Sequence, residues 1–236
     1  MFLFNRKRIV FITSILVSSI FYSSLLKQSN NYFSPVSSTP VSNHIIILDA
    51  GHGKPDGGAV SNDGNTIESE LNLEIVLKLQ KLLESSDCTV ILTRSDESGI
   101  YNTDCNSIRS QKISDMKNRV SIANNSNADL FLSIHMNKLE QTQYSGWQTF
   151  YKNDDIISKS IAQNIQSSLN LFMKRENKRE IKSISGIYLT KHVKIPMILV
   201  ECGFLSNIEE TSLLKDETYQ NELAWSIYIG LMDYLK

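Results

Sequence analysis

The stretch Ile45 to Ala59, IIILDAGHGKPDGGA, constrains this chain most. Ile45, Ile46, Ile47 and Leu48 form an unbroken aliphatic, largely β-branched run, the pattern of a fully buried strand. The run stops at Asp49, and a loop with Gly51, Gly53, Gly57, Gly58 and Pro55 follows at once. Such a loop lets the backbone turn sharply and approach a ligand closely. One imidazole, His52, stands at its centre. In open α/β sheets, sites form beyond the carboxyl ends of the strands, and His52 falls there. The competing reading is a tight turn with a chance histidine. Neither G-x-x-x-x-G-K-[ST] nor G-x-G-x-x-G ahead of a helix is present, so the loop does not read as a nucleotide site.

Downstream, strand-like and helix-like patterns alternate. Residues 68–84 repeat at helical spacing through Leu71, Ile75, Leu79 and Leu82. Thr89 to Leu92 reads as a short strand followed by Thr93 and Arg94, and the polar stretch 96–111 reads as a surface loop. Met116 to Ala123 reads as a helix, Leu130 to Ile134 as a buried strand ending at His135, and Trp147 to Tyr151 as another strand. Residues 156–172 are amphipathic, 174–184 read as a charged loop, Met197 to Val200 as a buried strand ending at Glu201, and 219–234 as a closing helix. Interleaving of this kind predicts an α/β fold, a layered, twisted and largely parallel sheet flanked by helices.

A chain of 236 residues can bury one substantial core. A formal net charge of -1 gives no reason to expect a polyanion such as nucleic acid as partner. The cysteines, Cys88, Cys105 and Cys202, form no C-x-x-C pair, so neither a thiolate zinc ribbon nor a dense disulfide framework is on offer. At the N-terminus, Arg6, Lys7 and Arg8 precede an apolar run from Ile9 to about Leu26. Residues 1–27 read as an export segment and membrane signal-anchor, with a cleaved signal as the alternative. The positive-inside rule then puts everything downstream outside the cytoplasmic membrane. Residues 28–43, rich in Ser, Asn and Thr with Pro35 and Pro40, read as a flexible linker, leaving 44–236 as the folded domain.

Three strands lead to a residue able to bind a metal or move a proton: His52, His135 and Glu201. Glu68 opens the helix after the glycine loop. If the strands are parallel neighbours, these groups share one rim. Two imidazoles and a carboxylate are the usual protein ligands of a catalytic zinc, and a further carboxylate can act as general base. Spacing alone leaves unrelated strand-end residues as an equal alternative, because no H-E-x-x-H is present.

DAGHGKPDGGA, IESELNLEIVLKL, SIHMN and IPMILVECGFLSN, in that order, resemble the zinc-dependent N-acetylmuramoyl-L-alanine amidases of bacterial cell walls, the amidase-3 family. The resemblance runs from about Ile45 to the C-terminus. It implies a single catalytic zinc held by His52, Glu68 and His135 at the strand carboxyl ends, with Glu201 as catalytic acid/base. Glu70, two residues beyond Glu68, stays the alternative ligand; Leu73, five residues after Glu68, is what fits the family spacing. The implied substrate is peptidoglycan, cut between N-acetylmuramic acid and L-alanine. A single catalytic domain behind an anchor, without wall-binding repeats, resembles the sporulation- and germination-specific, CwlD-type branch that acts in spore cortex. A growth-phase autolysin or cell-separation amidase, a zinc peptidase, and a catalytically silent wall-binding regulatory module are the alternatives. No autoinhibitory helix is evident, so control by expression timing or by a separate regulatory protein partner is a further expectation.

Asn137, Arg94 and Lys191 are candidate substrate-binding residues, with a turn former as the competing reading of Asn137 and a solvated charge as the preferred reading of Arg94 and Lys191. Asp49 is read either as a partner of a ligand imidazole or as a turn cap.

Overall fold

The computed structural model describes residues 43–236; the export segment expected over 1–27 and nearly all of the linker expected over 28–43 lie outside them. Six strands form one sheet: β1 (Ile45–Ala50), β2 (Thr89–Leu92), β3 (Leu130–Asn137), β4 (Gln148–Lys152), β5 (Lys182–Ile184) and β6 (Met197–Phe204), in the order β2-β1-β3-β6-β4-β5. All neighbouring pairs are parallel except β4 with β6. The helices are α1 (Glu68–Glu84), α2 (Ile108–Asn125), α3 (Ile156–Phe172), α4 (Tyr188–His192), α5 (Ile208–Leu214) and α6 (Glu217–Leu235). Among the described residues, no helix is long and apolar enough to cross a membrane.

The alternation of side chains along a strand divides the core in two. Ile46, Leu48 and Ala50 of β1, Leu130, Leu132 and Ile134 of β3, and Ile198, Val200 and Cys202 of β6 pack under α1, α3 and α6. Ile47, Phe131 and Met197 face the other way, toward Ala123 of α2 and Leu189 of α4. Both faces are covered, which is why the central strands read as continuous apolar runs. The layered, largely parallel α/β architecture expected from the sequence is the one observed.

The differences are local. Strands β3 and β6 do not stop at His135 and Glu201 but run on to Asn137 and Phe204, with a register shift between His135 and Asn137. Helix α2 begins eight residues before Met116, because Ser107 and Ser110 form a reciprocal capping box ahead of a polar first half that carries no apolar period. Within the stretch expected as a charged loop, Lys182–Ile184 pairs with β4 as an edge strand. The short helices α4 and α5 lack enough turns to show a period; α5 is nucleated by Asn207, whose side chain accepts from the Glu210 N–H.

Candidate metal centre and active site

His52, Glu68 and His135 converge at the carboxyl ends of β1 and β3. One ligand atom from each lies within 4.8 Å of the others. Glu68 Oε1 is 2.9 Å from His135 Nδ1 and 3.4 Å from His52 Nε2. The imidazole rings stand edge to face, their centroids 5.0 Å apart.

Each side chain is placed by a different device. His52 sits just past β1 with φ 62°, the left-handed region that costs a non-glycine residue on the order of 1 kcal/mol or more. Two buried arginines hold that turn. Arg119 donates to the carbonyls of Ala50 (2.9 Å) and His52 (2.5 Å), and Arg94 donates to those of Ala50 (2.9 Å) and Gly51 (3.1 Å). The outer nitrogen of His52, Nδ1, is fixed by Asp56 Oδ2 at 3.0 Å. His135 rises from β3 on the α2–α4 face. It has room because Gly51 lacks a side chain: a Cβ there would lie 2.2 Å from His135 Nε2. Glu68 comes from the opposite layer, as the first residue of α1. It is buried, and the N–H groups of Ala59 (2.7 Å) and Met136 (3.1 Å) donate to its two oxygens. Asn72, one turn further on, donates to the Gly51 carbonyl at 3.0 Å and ties α1 to the loop. Glu70 points elsewhere: it is partly exposed, 3.8 Å from Lys54 Nζ.

The electrostatics match this geometry. Burial works against ionisation of Glu68, but the two imidazoles outweigh it and hold the carboxyl well below its usual range. Burial likewise opposes protonation of His52, yet Asp56 and Glu68 push its pKa up to about 9. Glu201 behaves in the opposite way. Burial, helped by the Glu68 charge, pushes its carboxyl up to about 7 against the pull of the two imidazoles. Its Oε2 is buried without a hydrogen-bond partner. A cavity of about 340 Å³ joins His52, His135 and Glu201 to Lys112 and Met116 of α2 and to an apolar wall around Ile187 and Tyr188. A larger hollow of about 670 Å³, between Ser61–Asp63 and α5, is lined by neither imidazole.

Asp49 and Arg94 depart from both of their expected readings. Asp49 neither touches a ligand imidazole nor caps the turn. It is fully buried, ion-paired with Arg119, and accepts from Thr93 (2.8 Å) and Ser133 (2.5 Å). Arg94 is neither a solvated charge nor open to a substrate. Only 4 % exposed, it also donates to the Ser69 and Asp96 carbonyls. Lys191 is exposed on α4, whose residues in the cavity lining are Tyr188 and Leu189. Asn137 closes β3, and its carbonyl accepts from the Leu205 N–H at 2.8 Å; it does not line the cavity. Asp56, Lys112, Asp115 and Arg119 were not expected. Asp56 had a local signal, four residues after His52 in the same glycine loop, whereas those on α2 reach the site only through tertiary packing.

Two imidazoles and two carboxylates meet at the carboxyl edge of this α/β sheet, one carboxylate paired with both rings and one unpartnered, a donor set that could hold a metal ion. Residues 46–233 match the N-acetylmuramoyl-L-alanine amidase family, and the chain belongs to it. It is 37% identical over 197 residues to the germination-specific N-acetylmuramoyl-L-alanine amidase of Bacillus subtilis, covering 84% of this chain and 82% of that protein. The fold superposes on the CwlD amidase of Clostridioides difficile, solved in complex with the GerS lipoprotein, with a TM-score of 0.80, 49% identity, and coverage of 82% of this chain and 98% of that one. An N-acetylmuramoyl-L-alanine amidase from Clostridium difficile 630 is similar at a TM-score of 0.71 and 32% identity, covering 82% and 97% of the two chains.

Proposed function

We propose that this chain is a zinc-dependent amidase that cuts peptidoglycan between N-acetylmuramic acid and L-alanine during spore-cortex maturation. Likeness to a germination-specific amidase supports the biological role. The observation that carries the chemistry is the paired and unpaired carboxylates, Glu68 beneath two imidazoles and Glu201 with a buried, unpartnered oxygen on the same cavity.

The donor set fits zinc: two imidazole nitrogens and one carboxylate oxygen face one another within ligand range, and such a set leaves a position for water. When bound there by His52, Glu68 and His135, zinc supplies Lewis acidity, lowering the pKa of water and polarising the amide carbonyl. The remaining work falls to the chain. Asp56 holds the His52 ring so that Nε2 points inward. Glu201 takes the proton of the attacking water and returns it to the departing amine of alanine, a role suited to a carboxyl pushed up to about 7. The buried surroundings of Glu201 keep other acceptors away from that proton.

In the same reading, residues 1–27 export and anchor the chain, 28–43 tether it, and 44–236 work on the wall side of the cytoplasmic membrane. The complex of the CwlD amidase with a lipoprotein supports a regulatory protein partner for this chain as well. Metal analysis and mass spectrometry of digested glycan–peptide test the reading. One zinc per chain and stem peptides released with an unblocked alanine amine are expected. Cleavage inside the stem peptide, or no zinc, overturns it. Full activity of the purified chain alone would remove the need for a partner.

A further inference from the structure

Lys112 opens onto the same cavity as His52 and Glu201. It shares one stripe of α2 with Asp115, Met116 and Arg119, the spacing that puts side chains on a single helical face. Its Nζ lies 2.8 Å from Asp56 Oδ1, and the other oxygen of that carboxylate holds His52 Nδ1 at 3.0 Å. The side chain is 47% exposed. Arg119, the other lysine or arginine in this lining, is 2% exposed, and its donors are committed to Asp49, Asp115 and backbone carbonyls. Lys112 is therefore the fixed cation of the lining that an arriving ligand can reach. Across the cavity stand apolar side chains, Ile184, Ile187 and Leu189.

We propose that Lys112 is a specificity-determining residue that binds the free α-carboxylate of the second residue in the departing peptide. The inference rests on the amidase reading above. The peptide begins with alanine at the reacting amide, and an extended chain advances roughly 3.3–3.6 Å per residue. An anion on the next residue thus falls one to two residue lengths from the reacting bond. Lys112 Nζ is two contacts from the His52 ring, 2.8 Å from one Asp56 oxygen while the other holds His52 Nδ1 at 3.0 Å, which sets the ammonium on the outer side of the ring whose Nε2 faces the reacting bond. The apolar wall suits the alanine methyl. An ammonium group has three donors on a flexible stem, so Lys112 can take a second carboxylate without releasing Asp56. Asp56 keeps His52 and the Gly58 N–H (3.2 Å) as partners in any case.

The test uses the full chain and two disaccharide-tripeptides, identical except that the α-carboxyl of the second residue is free or amidated. Wild type is expected to favour the free acid in kcat/KM by about fivefold, the effect of one partly exposed ion pair. Lys112→Met should erase that preference, Lys112→Arg keep it and Lys112→Glu reverse it. Melting curves establish that each variant folds. Equal loss on both substrates in Lys112→Met would mean that Lys112 acts only through Asp56, and would overturn the proposal, as would a wild type indifferent to the carboxylate. Cleavage of neither substrate by zinc-loaded wild type, both alone and with a GerS-type lipoprotein partner, overturns the amidase reading, and this inference with it.

Discussion

His135 and Glu201 are register partners across the parallel β3–β6 pair, so both side chains stand on the α2–α4 face of the sheet. Neighbouring strands lie about 4.8 Å apart, which sets a candidate ligand imidazole beside a protonatable carboxyl with no loop between them. The spacing is fixed by backbone hydrogen bonding and does not depend on a flexible segment.

Because Glu201 touches none of the ligand side chains through a hydrogen bond, its substitution should separate chemistry from metal binding. Glu201→Gln is expected to fold, bind zinc and lose about a hundred- to ten-thousand-fold in kcat. Wild-type turnover in that variant would remove Glu201 from the mechanism.

Asp56 orients His52 from behind, at 3.0 Å. Asp56→Asn should weaken zinc binding about 10- to 100-fold while leaving the melting temperature of the chelated protein close to wild type. Competition against a chromophoric chelator measures the affinity directly.

The absent side chain at Gly51 leaves the volume that the His135 ring fills. In Gly51→Ala the new methyl meets that ring, which Glu68 also holds, so the ring must turn away. Zinc stoichiometry well below one per chain, in a protein whose circular dichroism stays native, is the expected outcome.

Arg119 pairs with Asp49 and Asp115 beneath the ligand loop. Removing one partner of a buried pair strands the other, and Arg119→Met should cost about 3–5 kcal/mol in urea unfolding. Adding Asp49→Leu takes away the stranded charge, so the double variant should be more stable than Arg119→Met. Additive losses would contradict the pairing.

Stability should also depend on pH through Asp49. Burial alone would raise its carboxyl, but Arg119 together with Ser133 and Thr93 holds it below the usual aspartate range. A group depressed in the folded state contributes stability above its unfolded pKa and loses that contribution as pH falls through the folded one. The urea midpoint should therefore drop as pH falls below about 4, and this acid limb should be shallower in Asp49→Asn. An identical limb in the two proteins would assign it to other carboxylates.

How far the sequence could be read depended on how local each cause was. Helices α1 and α3 and strand β2 have the bounds their periodicity predicts, because a repeated apolar face declares itself in neighbouring residues. His52, Glu68, His135 and Glu201 stood out because their motifs sit at strand ends and a helix start. Elements of three to seven residues, β5, α4 and α5, exist through their partners and left no period to detect.

By itself, then, the sequence determined the layered α/β class and the residue types at the candidate metal centre, since burial patterns and chemistry-bearing motifs are written in consecutive residues. Only the tertiary structure decided which charges serve the site. Arg94 and Asp49, which read as candidates for substrate or imidazole, are turned into the supports of the His52 turn by burial against backbone carbonyls and Arg119. Lys112 reaches the cavity because α2 packs across the β1 loop, a contact between residues far apart in the chain. Local sequence carries propensity and chemistry, whereas the pairing of buried charges depends on which distant segments fold together.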